Sequence, residues 1–141
     1  MPVDKLLVKQ RLAYMEEYLT ELKLLAEMPK EDFLTKRNAA AGESFLRRSL
    51  EAVFDIGRHI LAKAGRPDLA MEYKSIARGL HEEGIIGRGL AEKLLKMAGY
   101  RNRLVHLYHQ VSVEELYGII CNELADIQQF KDEITAYLRK C

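Results

Sequence analysis

Apolar residues recur at helical spacing almost from end to end of this 141-residue chain, and that periodicity constrains the fold more than any other feature. Val8, Leu12, Met15, Leu19, Leu22 and Ala26 follow one another at steps of 4, 3, 4, 3 and 4, a coiled-coil-like seam on a helix expected from about Asp4 to Met28. Pro29 closes it. Tyr14 and Tyr18 add a second row and read as bundle core. Lys30 to Arg37 is a connector with one helical turn anchored by Phe33 and Leu34. A second seam, Leu46, Leu50, Val53, Gly57, Ile60 and Ala64, predicts a helix from about Asn38, a candidate N-cap, to Ala64, stopped by Gly65. Arg66-Pro67-Asp68 turns the chain into a shorter helix, roughly Leu69 to Glu82, ended by Gly84, after which Ile85 and Ile86 make a buried corner. The next helix begins near Gly89. Ser112-x-x-Glu115 is a capping box that opens the last helix, about Val113 to Leu138, with a seam of Leu116, Ile120, Glu123, Ile127, Phe130, Ile134 and Tyr137. No segment alternates with the period of a strand, and there is no internal repeat. The predicted fold is therefore all-α: residues 1–141 as one domain, an up-and-down bundle of four main helices plus a short one.

Composition fits such a bundle: 48% of the residues are hydrophobic and 30% charged, too apolar a balance for a disordered chain. A formal net charge of +1 leaves no global basic field, so any nucleic-acid binding must come from charge gathered locally in a cleft. Cys121 and Cys141 have neither metal-ligand spacing nor a disulfide framework; Cys121, in an apolar helix, reads as a small core residue. No H-x-x-x-H, C-x-x-C or acidic triad suggests a metal, and the expectation is no cofactor. The glycines Gly84, Gly87 and Gly89 follow no strand and precede no G-K-S/T, so they form an inter-helix turn and not a phosphate loop. No apolar run approaches the roughly 20 residues of a membrane span, and the N-terminus lacks a signal-peptide pattern. A reducing cytoplasm is the expected location.

One charge breaks the pattern. Leu90, Leu94, Met97, Arg101, Leu104 and Tyr108 share a row with steps of 4, 3, 4, 3 and 4, so Arg101 interrupts an apolar seam. Burying a guanidinium unpaired is costly, so it must be paired, face a cleft or lie at an interface. The structural alternative is an ion pair with Glu51 or Asp55. Both acids belong to a polar row on the preceding long helix, Ser44, Arg48, Glu51, Asp55 and Arg58. That row is either a solvated face carrying ion pairs or, at Asp55 and His59, part of the cleft that holds Arg101.

Arg101 sits within Gly99-Tyr100-Arg101-Asn102-Arg103-Leu104-Val105-His106-Leu107-Tyr108-His109, a crowd of polar side chains at a helix end. With Arg101 at zero on a helical wheel, Asn102 lies at about 100°, His106 at about 140° and Tyr108 at about −20°. Asn102 and His106 are an i,i+4 pair; Arg103 and His106, an i,i+3 pair, can also be neighbours. Arg101-Asn102-x-x-x-His106-x-Tyr108 resembles the R-x-x-x-x-H-x-Y signature of the HepT-family ribonuclease toxins of the HEPN superfamily. Length, helix order, the Phe54-Asp55-Ile56 to His59-Ile60 segment and the Gly84 to Leu95 approach to the motif extend the resemblance over nearly the whole chain. The family pattern selects Arg101 over Arg103.

The resemblance implies the toxin of a toxin–antitoxin pair: a metal-independent endoribonuclease whose active cleft lies at a homodimer interface. The chemistry fits these side chains. RNA carries its own nucleophile, the 2′-OH, so a histidine and a cation suffice. His106 would take or give the proton, and Arg101 would stabilise the charged phosphorane with its forked donors. Asn102 would orient the phosphate or His106, with Asp55 supporting. The resemblance also implies a cognate minimal nucleotidyltransferase antitoxin (MntA-like) that adds AMP to Tyr108, blocking the RNA phosphate by bulk and charge. A bundle-core tyrosine with its hydroxyl at the surface is the plainer role for Tyr108. Apolar rows in excess of one on the first and last helices independently suggest a homodimer. Two other readings remain: a non-catalytic helical binding subunit of a nucleotidyltransferase, and a purely structural dimer, which would need Arg101 paired internally.

Overall fold

The computed structural model describes residues 2–141, the side chain of Tyr108 excepted. Among the described residues it contains six α-helices and no strand: α1 (Lys5–Ala26), α2 (Lys30–Phe33), α3 (Lys36–Lys63), α4 (Tyr73–Glu82), α5 (Arg88–His106) and α6 (Val113–Lys140). Short 3-10 turns span Pro67–Ala70 and Tyr108–Gln110. The four long helices form the bundle that the seams require. Val8, Leu12, Met15, Leu19 and Leu22 of α1 are buried, as are Leu46, Leu50, Val53, Gly57 and Ile60 of α3. Leu116, Ile120, Ile127, Phe130 and Ile134 of α6 face them. Each such side chain contributes about 1.5–3 kcal/mol of burial. Helix α3 is the hub, in contact with α1, α4, α5 and α6.

The helix ends follow local chemistry. Asp4 caps α1 through its carboxylate, which accepts from the Leu7 N–H at 3.0 Å. Ser112 caps α6 by accepting from the Glu115 N–H at 3.0 Å, half of the expected box. The other half is missing because the Glu115 carboxylate is taken by Arg103. Helices α3 and α4 both end in Schellman motifs with a left-handed glycine, Gly65 (φ +80°) and Gly84 (φ +72°). In the first, the N–H of Arg66 reaches the Leu61 carbonyl; in the second, that of Ile85 reaches Leu80, both at 2.9 Å.

Several expectations need correction. Helix α3 starts two residues before Asn38, behind Thr35 in an extended conformation; the Asn38 amide instead donates to the Asp32 carbonyl at 2.9 Å and ties down the connector. The helix expected from Leu69 is divided. The Ala70 carbonyl accepts from Arg58 Nε, and Glu72 is extended (φ −128°, ψ 146°), so the chain leaves the Pro67–Ala70 turn and restarts as α4 at Tyr73. Tyr14 is 51% exposed and not core, whereas Tyr18 is partly buried against Phe45, with ring centroids 6.3 Å apart. Ala64 is exposed beyond the last buried turn. Cys121 is exposed too, because it lies one position off the Leu116–Ile120 row.

The interruption at Glu123 is resolved by α5: Lys96 Nζ donates to Glu123 at 2.8 Å, and Lys93 pairs with Asp126 at 3.3 Å. The Lys96 bond holds Glu123 below its ordinary range, while burial pushes Asp126 up. Among the described residues no helix is long and apolar enough to cross a membrane.

Candidate active site

Helix α5 carries the polar cluster, and its C-terminal end decides the arrangement. The α-helix stops at His106; Leu107 leaves helical geometry (φ −129°, ψ 34°), and Gln110 N–H closes the following 3-10 turn on the Leu107 carbonyl at 2.8 Å. Tyr108 therefore lies in that turn and not on the α5 row where the unbroken pattern put it. Its side chain falls outside the described residues. His106 is the last residue of α5, exposed, at the site of the turn.

The two arginines have separate fates. Arg103 is committed to α6: both its Nη atoms reach the Glu115 carboxylate, Nη2 at 2.8 Å, and Nη2 also donates to the Gln110 carbonyl at 3.3 Å. This forked pair clips the end of α5 to the start of α6 and fixes the turn between them. Arg103 holds the Glu115 carboxyl below its usual range, chiefly through that hydrogen bond. Arg101 has no acid partner among the described residues. Its Cζ lies 4.3 Å from the centroid of the Tyr73 ring, a close cation–π contact. Nη1 reaches only Asn102 Oδ1, at 3.4 Å. Nε is buried and has no hydrogen-bond partner among the described residues. The Arg101 guanidinium is thus held by an aromatic face and not neutralised by a carboxylate, which leaves its charge for a ligand.

Asp55 does not reach Arg101 directly. It is exposed and pairs with Arg58 Nη1 at 3.1 Å, and it lines a cleft of about 180 Å³ with Arg11, Tyr14, Tyr18, Arg48 and Glu51. The link to Arg101 runs through Arg58, whose Cζ is 5.7 Å from the same Tyr73 centroid. Phe54 supports that ring from below, edge-on, at 4.9 Å. His59 turns away from this group: its Nε2 accepts from the Asp4 N–H at 3.2 Å, and it locks the start of α1 onto α3. Burial, reinforced by Lys63 and opposed by Asp4, lowers its pKa below the ordinary 6.5. Sequence reasoning missed Tyr73 as the support of Arg101 and Arg58 as a second cation on the same ring. Arg58 sat visibly in the polar row of α3, but Tyr73 stands at the head of a short helix with no local pattern to mark it.

Among the described residues no three His, Cys, Asp or Glu side chains gather as a metal-binding group.

The chain is an all-α bundle with an arginine and an exposed histidine near the end of its fifth helix. The ribonuclease HepT-like family matches residues 15–134, and the chain belongs to that family. It is 25% identical over 137 residues to the tRNA nuclease HepT of Aphanizomenon flos-aquae, an alignment spanning 96% of this chain and 92% of that protein. It is 31% identical over 93 residues to the mRNA nuclease HepT of Shewanella oneidensis, spanning 64% of this chain and 68% of that protein. The fold is similar to the tri-AMPylated HEPN toxin of Shewanella oneidensis solved in complex with its MNT antitoxin (TM-score 0.79, 23% identity, 92% of this chain and 96% of that one). It is also similar to YutE, a cytosolic protein of unknown function from Bacillus subtilis (TM-score 0.82, 23% identity, 98% and 92%).

Proposed function

We propose that this chain is the toxin of a HEPN and minimal-nucleotidyltransferase pair, a metal-independent endoribonuclease that uses Arg101 and His106. One observation carries the reading: Arg101 lies in the core-facing row of α5 without an acid partner among the described residues, held on Tyr73, five positions before an exposed histidine. A purely structural role for Arg101 would pair it internally with Glu51 or Asp55, and neither does so. Membership of the HepT-like ribonuclease family supports the same reading.

The chemistry follows from the side chains. The substrate's 2′-oxygen attacks the adjoining phosphorus while the bond from phosphorus to the 5′-oxygen breaks, giving a 2′,3′-cyclic phosphate and a 5′-hydroxyl. His106 moves the proton, from the 2′-hydroxyl as a base or to the leaving oxygen as an acid. Arg101 stabilises the negative charge that builds on the non-bridging oxygens, and stacking on Tyr73 pre-orients it at no cost during the reaction. Asn102, one residue on, orients the phosphate. In a homodimer with both motif helices on one cleft, the two copies of His106 can divide the acid and base roles.

Tyr108 is the acceptor of AMP from the antitoxin. Its place in the exposed turn after α5 suits modification better than that of Tyr117, whose hydroxyl donates to the Met28 carbonyl at 2.6 Å. An adenylyl group there would add bulk and negative charge at the end of the motif helix and disfavour the RNA phosphate.

The test is cleavage of RNA by unmodified protein in EDTA, with analysis of the product ends. Cyclic 2′,3′-phosphate ends formed in EDTA are expected. Activity that vanishes with EDTA and returns with a divalent cation would contradict the metal-independent mechanism. A protein that binds a nucleotidyltransferase yet cleaves no RNA would instead be the non-catalytic binding subunit. Co-expression with the antitoxin and ATP should add AMP mass at Tyr108; modification confined to Tyr100 or Tyr117 would refute that assignment.

A further inference from the structure

Two cations share one aromatic ring. Arg58 of α3 and Arg101 of α5 both lie over Tyr73, with Cζ atoms 5.7 and 4.3 Å from its centroid, so the two guanidiniums are at most 10 Å apart. Like charges this close repel unless something anionic lies between them. Asp55 offsets Arg58 only weakly, because both side chains of that pair are about half exposed to water. Arg101 has no such offset among the described residues. The adjoining cleft adds no net charge, since Arg11 and Arg48 stand against Glu51 and Asp55, so the excess positive charge is that of Arg101 itself.

The donors are arranged for an external acceptor. Arg58 Nε is fixed by the Ala70 carbonyl at 3.2 Å, and Nη1 rests on Asp55 at 3.1 Å, which leaves Nη2 without a partner among the described residues. Arg101 Nη2 is likewise without one. The ring itself is immobilised by Phe54, which is fully buried. Two guanidiniums on one rigid platform, each with Nη2 unpartnered among the described residues, match the repeating phosphates of a single strand, one guanidinium to each phosphate.

We propose that Arg58 and Arg101, stacked on the Tyr73 ring, form a two-pronged subsite for consecutive phosphates of a single-stranded RNA, with Asp55 holding Arg58 until the RNA takes its place. This rests on the ribonuclease reading and extends it: Arg101 serves the phosphate that reacts, Arg58 binds its neighbour, and Tyr73 positions both. Arg58 therefore governs affinity, while Tyr73 affects affinity and turnover together.

The experiment measures binding and cleavage separately. A fluorescent 2′-O-methyl oligoribonucleotide, which lacks the nucleophile, is titrated at several salt concentrations with wild type, Arg58→Gln, Asp55→Asn, Tyr73→Leu and Tyr73→Phe. Cleavage of the matching unmodified RNA gives kcat and KM, and thermal melts check that each variant is folded. Arg58→Gln is expected to weaken binding several-fold, to lower the salt slope by about 0.7, the contribution of one single-strand phosphate contact, and to raise KM with little change in kcat. Asp55→Asn should tighten binding, a gain that loss of folding cannot mimic. Tyr73→Leu should raise KM and lower kcat, and Tyr73→Phe, which keeps the ring face, should recover most of both. Wild-type affinity and salt slope in Arg58→Gln, or weaker binding by Asp55→Asn, would overturn the subsite. Loss of binding in Arg58→Gln from a wild type that cleaves nothing would uphold the subsite and overturn the nuclease reading. Cleavage with Arg58→Gln unaltered would do the reverse, and a wild type that neither binds nor cleaves RNA would overturn both.

Discussion

At the scale of single residues, Arg101 and Arg103 are separated by their partners, and the proposed chemistry rests on that separation. Two positions apart on one helix, they face different neighbours, and among the described residues only Arg103 of the two finds a carboxylate. Arg103→Ala should therefore lower the melting temperature yet keep cleavage per folded molecule. The loss should depend on pH in a defined direction. Glu115 ionises below its ordinary value in the folded chain, so the pair's contribution is fully present above the unfolded carboxylate range and fades as pH falls through the lowered pKa. Melts of wild type and variant should thus converge in acid, and a gap that widened in acid would contradict the pairing. That Arg101 breaks an apolar row, and so needs an explanation, was legible in sequence. Its support was not: Tyr73 is 28 residues away along the chain and meets Arg101 only through the packing of α4 on α5.

At the scale of helices, close packing and end chemistry position the site. Gly57 lets α4 approach α3; a Cβ there would lie 2.6 Å from Ile76 Cγ2 and 3.1 Å from Leu80 Cδ1. Gly57→Ala gains about 1 kcal/mol of helix propensity but should cost about 1–3 kcal/mol through overpacking. Net destabilisation in chemical denaturation is expected, with weaker cleavage because α4 carries Tyr73; a more stable variant would contradict the packing. His59 clips α1 to α3 in its neutral form. Its pKa is lowered, so between that value and 6.5 the unfolded chain binds more protons and stability falls on acidification. His59→Gln should flatten the stability profile in that interval; an unchanged profile would count against the contact. The seams predicted the helices well because burial is periodic. The ends were harder to read, since Asn38, Arg58 and Arg103 fix the segments beside them through bonds to residues several positions or more away.

At the scale of the whole molecule, one chain offers a single Arg101–His106 set on a nearly neutral surface, net charge +1. A second copy would double the local positive charge where the phosphates bind. Leu6, Tyr14 and Leu24 of α1 remain 68%, 51% and 54% exposed, spread along the helix. Sedimentation equilibrium should give twice the 16.2 kDa chain mass, and a monomer at all concentrations would contradict the shared cleft. The central claim is tested most directly by incubating a defined RNA set in EDTA with wild type, Arg101→Ala and His106→Ala, each shown by mass to carry no AMP. The account predicts cleavage by wild type and a loss of about 10²–10⁴ in rate for His106→Ala, with Arg101→Ala similarly impaired. Equal cleavage by all three would contradict it.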